Sequence, residues 1–95
     1  MSETKDPIEL LNEVHQFPCQ FTIKAIGKTE NDFPARILET TRKTLGIDFD
    51  PPYSTRETAH GRHVSVTIEP TLQSAEETLE LYRQLQETDG LVMLL

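Results

Sequence analysis

The sequence predicts an α+β fold: a four-stranded antiparallel sheet with two helices on one face, preceded by a short N-terminal helix. Three observations carry this expectation. Residues 21–27 and 64–68 alternate apolar and polar side chains, as half-buried strands do. Two longer segments, starting near Phe33 and Ala75, each gather their apolar residues on one helical side. Together with a weaker strand at 53–59 and an apolar run at 91–95, these segments follow one another in the order βαββαβ.

Each element has a local cause. Residues 7–14 suit a two-turn helix, with Asp6 as its cap, Pro7 in the first turn and Ile8, Leu11 and Val14 at helical spacing. Phe17-Pro18 stops it. In the first strand Phe21, Ile23 and Ala25 face one way, while Thr22 and Lys24 face the other. Asp32 and Pro34 open the second helix, in which Phe33, Ile37, Leu38, Thr41 and Leu45 form the buried side. Gly46 is its stop.

Residues 47–52 form a loop, and residues 53–59 read as an edge strand. His60-Gly61 is the turn into the second clear strand, which Pro70 ends. Ser74-Ala75-Glu76-Glu77 is a capping box: serine accepts from the third helical amide and Glu77 reaches back. Ala75, Thr78, Leu79, Leu81, Tyr82 and Leu85 then make one half of the helix, and Glu76, Glu77, Glu80, Arg83, Gln84 and Glu87 the other. After the break at Asp89-Gly90, residues 91–95 read as a buried last strand. Two βαβ units folded this way make a ferredoxin-like sandwich. Residues 1–16 are then an N-terminal segment with a short helix, and residues 17–95 the ferredoxin-like domain. Its uncovered face would show Thr22, Lys24, Ile26, His63, Ser65, Thr67 and Glu69.

Composition narrows the function. The chain has 95 residues and a net charge of −7. That balance disfavours nucleic acid, whose binding is driven by lysine and arginine displacing counterions. The acidity sits in residues 1–16 and 72–95, and the middle of the chain is neutral. No apolar run approaches the ~20 residues that span a bilayer. With a polar, acidic start, a cytoplasmic protein without membrane contact is expected. One cysteine excludes an intramolecular disulfide and multi-cysteine metal sites.

The ferredoxin-like fold hosts unrelated functions, so side chains must decide. An RNA-recognition domain carries base-stacking aromatics on its central strands, where this chain has Thr22, Lys24, Ser65 and Thr67. A metal carrier needs a cysteine pair after the first strand; Cys19 stands alone before it, and His60 and His63 lie on a turn and a strand with no third ligand in view. No metal or cofactor is expected. An acylphosphatase-like loop needs glycines and an arginine, whereas residues 27–32 hold one glycine and two acids. Cys19 has no adjoining cation to lower its pKa and reads as a small filler. The glutamates of the last helix form either a solvated surface or a docking face for a basic partner. The uncovered sheet face is either solvated or pairs with a second copy in a homodimer.

The run Phe17-Pro18 then Phe21-Thr22-Ile23-Lys24-Ala25-Ile26-Gly27 resembles the opening of the YbeD-like family of small bacterial proteins. So do Gly61-Arg62-His63-Val64-Ser65-Val66-Thr67-Ile68, where His63 replaces a common aromatic, and Leu81-Tyr82-x-x-Leu85 with Asp89 and Val92-Met93-Leu94-Leu95. The match covers about residues 10–95. It implies a βαββαβ fold comparable to the small-molecule-sensing ACT domains, and no established activity. ACT domains bind amino acids beside the loop after the first strand, where a glycine at the helix start admits the ligand. Residues 32–37 resemble that segment, with Ala35 where the glycine would stand.

The expectation is therefore a non-enzymatic regulatory or adaptor domain that binds a small molecule or a protein partner. The candidate ligand-binding residues are Asp32 and Arg36 at the helix start and Lys24, His63 and Ser65 on the uncovered face. The alternatives are an acidic interaction subunit docking a basic partner, and a small enzyme with His63 as general base beside Ser65.

Overall fold

The structure, a computed structural model, describes residues 5–95. Helix α1 (Pro7–Val14) starts where expected: the Asp6 carboxylate accepts from the Ile8 amide at 2.9 Å. None of its residues is buried, and Val14, expected on its apolar side, is exposed. The helix packs along α3 (Ala75–Gln86). Behind it the rings of His15, Phe17 and Phe21 cluster, His15 and Phe21 with centroids 4.5 Å apart.

The main sheet has four strands: β2 (Ile23–Lys28), β3 (Tyr53–Glu57), β4 (His63–Ile68) and β6 (Leu91–Leu94). They run antiparallel in the spatial order β3-β4-β2-β6. Central register pairs are Ala25 with Val66 and Ile26 with Ser65. A second, two-stranded ladder was not expected. Strand β1 (Cys19–Gln20) pairs with β5 (Thr71–Leu72), setting Cys19 opposite Leu72. The expected strand from Phe21 is thus split. Phe21 is half-buried, its amide donates to the Pro70 carbonyl at 3.0 Å, and the regular strand begins at Ile23.

The alternation decides which face is covered. Ile23, Ala25, Val64, Val66 and Ile68 are buried and meet Phe33, Ile37 and Leu38 of α2 (Phe33–Leu45) and Leu81 and Leu85 of α3. Burying each of the larger side chains, the isoleucines, valines, leucines and Phe33, contributes roughly 1.5–3 kcal/mol before the entropy of ordering. Thr41 and Thr78 are fully buried too, and their hydroxyls donate to the Ile37 and Ser74 carbonyls at 2.9 Å. Gly27 is required by this packing: a β-carbon there would lie 2.4 Å from the Phe33 ring. Gly46 ends α2 in the left-handed conformation, φ 68°, as expected.

Two expectations are corrected. Asp32 occupies the cap position of α2 but makes no capping bond, because its backbone is left-handed, φ 53° and ψ 58°. A cap needs an extended backbone to turn its carboxylate onto the first amides. The last strand is not buried either. β6 is an edge strand, with Leu91 and Leu94 against the core and Val92, Met93 and Leu95 about half exposed or more. Met93 pairs with Ile26 but Leu91 with Gly27, so Val92 is the extra residue of a bulge. The Ser74 cap holds: its hydroxyl accepts from the Glu77 amide at 3.1 Å. Glu77 reaches back one residue further than expected, accepting from the Gln73 amide at 2.8 Å.

Candidate functional site

Two places gather the candidate residues: the uncovered face of the sheet and the end of the sheet beside the start of α2. Strand parity puts Lys24, Ile26 and Lys28 of β2 on the uncovered face with His63, Ser65 and Thr67 of β4. The pairing adds Arg56, opposite Ser65, and Met93, opposite Ile26. Leu95 exchanges both backbone bonds with Lys24, at 2.8 and 3.1 Å, and so joins the same face. A hollow of about 240 Å³ is lined by Lys24, Ile26, Arg56, Glu57, Thr58 and Ser65. A larger one, about 390 Å³, is lined by Lys28, Thr29, Glu30, Gly61, Arg62 and His63.

Three of the five candidates, Lys24, His63 and Ser65, therefore share one face. His63 is half-buried, and its imidazole makes no hydrogen bond to a described residue. The Ser65 hydroxyl donates to the Arg56 carbonyl at 3.4 Å, not to His63. A serine and a base working together would need a bond of about 2.6–3.2 Å between them.

The charge on this face has a clear pattern. Of the nine lysines and arginines, Lys5, Arg42, Lys43 and Arg83 pair with carboxylates. Arg36 spends its guanidinium on backbone carbonyls. The remaining four, Lys24, Lys28, Arg56 and Arg62, are exposed and pair with no carboxylate among the described residues. All four lie on the uncovered face or at its end. The outer side of α3 is the opposite in sign. There Arg83 bonds Glu80 at 2.6 Å, and with Gln84 it holds the Glu80 carboxyl below its ordinary range.

At the end of the sheet, Arg36 acts as a clasp. Its Nε donates to the Asn31 carbonyl at 2.9 Å, Nη2 to Glu30 at 3.1 Å and Nη1 to Asp89 at 2.7 Å. The first two acceptors belong to the loop after β2, the third to the loop before β6. The Lys28 amide donates to Gly90 at 3.0 Å and ties the end of β2 to the loop before β6. Asn31 and Asp32 are both left-handed, φ 53°, a conformation that non-glycine residues seldom adopt. Asp32 helps line a hollow of about 270 Å³ with Thr29, Glu30, Phe33, Pro34 and Glu57. Arg36 faces a different one, between the helices, with Glu39, Gln84 and Thr88. The two candidates flank the start of α2, Asp32 before it and Arg36 in its first turn, but do not share a cavity.

Among the described residues, no three His, Cys, Asp or Glu side chains gather as a metal site would need, and no helix is long and apolar enough to cross a membrane. Residues 12–95 match the family described as "Protein of unknown function (DUF493)". The chain belongs to this family. The chain is also similar to UPF0250 (YbeD) proteins, the group that the strand and helix motifs resemble. A UPF0250 protein of Vibrio vulnificus is 33% identical over 85 residues, covering 90% of each chain. One from Vibrio cholerae is 34% identical over the same share, and one from Shewanella piezotolerans 32% over 79 residues, 83% of this chain and 88% of its own. In three dimensions the DUF493 chain is similar to the solution structure of HP0495 from Helicobacter pylori, with a TM-score of 0.65 over 85% of each chain at 14% identity. That likeness concerns the fold alone.

Sequence reasoning missed Lys28, Arg56, Arg62, Met93 and Leu95 as members of the face. Lys28 and Arg62 were available from the strand ends. Arg56, Met93 and Leu95 depend on which way the two edge strands register, which no local pattern states.

Proposed function

We propose that the protein is a cytoplasmic, non-enzymatic regulatory or adaptor domain that works by contact, with the uncovered sheet face as its contact surface. The observation that carries this reading is the asymmetry of the sheet. One face is sealed by two helices, while no helix covers the other, which holds exposed Lys24 and half-buried His63 and Ser65 beside exposed Met93 and Leu95. The strand order and the one-sided helices support a ferredoxin-like sandwich as the scaffold. Photo-crosslinking in bacterial cells tests the reading. A photoreactive residue replacing Ser65 is expected to capture a partner, and one replacing Glu80 on α3 is not. Capture at Glu80 alone would favour the acidic helix as the docking face and end this proposal.

A second reading, binding of a small ligand in the manner of ACT domains, draws on the left-handed pair Asn31-Asp32 beside the hollow at the start of α2. Strained backbone of this kind clusters at ligand sites. A thermal-shift screen against amino acids and common metabolites checks it. A ligand at 100 times its dissociation constant should add about 2.7 kcal/mol of stability. A hit that persists in Asp32→Ala would place the ligand elsewhere.

A further inference from the structure

We infer that the uncovered sheet face takes an acidic protein segment: an extended stretch of glutamates or aspartates interspersed with aliphatic side chains. This rests on the contact reading and adds the chemistry of the partner. The argument is one of charge placement. A chain with sixteen acids and nine bases has carboxylates to spare for every cation. Yet the four lysines and arginines without a carboxylate or carbonyl partner among the described residues are those of this face and its end, Lys24, Lys28, Arg56 and Arg62. The acids nearby do not neutralise them. Glu69 lies beyond the far end of β4, accepting from the Thr22 hydroxyl at 3.4 Å. Glu30 and Glu57 sit at the rims of the hollows, neither within ion-pair distance of a cation.

Geometry says how such a segment would lie. Lys24 and Lys28 are four residues apart on one strand, about 13 Å at ~3.3 Å per residue. Arg56 stands two strands across from Ile26, about 10 Å away at ~4.8 Å per strand. An extended chain has its same-side residues ~6.6 Å apart, so acids at every second or fourth position reach these cations. Ile26 lies between Lys24 and Lys28, and beside them on the edge strand Met93 and Leu95 continue an aliphatic strip, Met93 49% and Leu95 60% exposed. Apart from the half-buried His63, this face carries no aromatic ring on which a base could stack, which favours a peptide over single-stranded nucleic acid. The rest of the molecule is acidic and repels a long polyanion, while a short segment confined to the face is screened from that field beyond ~8 Å.

The test is an anisotropy titration, paired with amide chemical-shift mapping. The probe is a short labelled peptide alternating glutamate and leucine, compared with its lysine–leucine counterpart and an oligothymidylate of equal length. The expected result is salt-sensitive binding of the glutamate peptide alone, with shifts on β2, β4 and β6. K24E/R56E should weaken it at least about tenfold, and R83E, on the far side of the molecule, should leave it unchanged. Amide spectra verify that each variant is folded, and K28E/R62E stands in if K24E/R56E is not. Equal shifts of the same face by the lysine peptide would overturn the partner chemistry while leaving the contact reading standing. Tighter binding of oligothymidylate would overturn it in favour of nucleic acid. No shift on the face with any probe would overturn it too, and the Ser65 crosslink then decides the contact reading separately.

Discussion

The two long helices begin in opposite ways. At α3, Ser74 is extended, φ −158°, and its hydroxyl takes the Glu77 amide while Glu77 takes the Gln73 amide. At α2, Asp32 is left-handed and caps nothing; the start is held instead by Phe33, buried against Gly27, and by Arg36, which reaches back to the loop. One start is secured by local side-chain-to-backbone bonds, the other by long-range packing and a clasp. A residue of capping type marks where a helix begins but does not say what secures it.

The comparison is open to breaking, most strongly at Phe33. Phe33→Ala should cost about 3–5 kcal/mol in denaturant unfolding, since a fully buried ring leaves a cavity. Gly27→Ala should cost about 1–3 kcal/mol in the native protein, through the clash with that ring, and close to nothing in the Phe33→Ala background. Equal costs in both backgrounds would mean the glycine serves something other than the ring. Arg36→Met should cost about 1.5–3 kcal/mol by losing three charge-assisted bonds to carbonyls. Ser74→Ala should cost about 1 kcal/mol, the usual worth of a cap, while Asp32→Ala stays within about 0.5 kcal/mol and Asp32→Gly gains a few tenths by relieving the positive φ. If Asp32→Ala costs as much as Ser74→Ala, the two starts are alike after all.

The smallest effect is a pH dependence on α3. Burial raises the Tyr82 hydroxyl above its ordinary value of 10.0. The folded state therefore keeps its phenol protonated where the unfolded chain ionises. That contribution is complete below the unfolded value and is lost as pH rises through the folded one. Thermal melts across alkaline pH should show a decline above about pH 10 that Tyr82→Phe reduces. An unchanged decline would assign it to other groups.

The legible parts of the fold are the local ones. Alternation marked the buried side of β2 and β4, Gly46 the end of α2 and Ser74 the start of α3. The β1–β5 ladder was invisible because two-residue strands are too short to alternate, and Gln20 meets Thr71 only through the fold. The run at 91–95 is apolar whether it lies inside a sheet or at its edge, so composition could not place β6. The φ of Asp32 is likewise set by the loop it closes. For the candidate face, Lys24, His63 and Ser65 followed from strand parity, whereas Arg56 and Met93 required the register of strands distant in sequence.

The Arg36 clasp also has a kinetic consequence. Because one guanidinium holds the carbonyls of Glu30, Asn31 and Asp89, the loop after β2 and the loop before β6 cannot open independently. The amides of Lys28 and Leu91, bonded to the Gly90 and Thr88 carbonyls, should then exchange with solvent deuterium at a shared rate, as members of one opening unit. With Arg36 replaced, the loop before β6 loses its anchor at Asp89, and both amides should exchange faster.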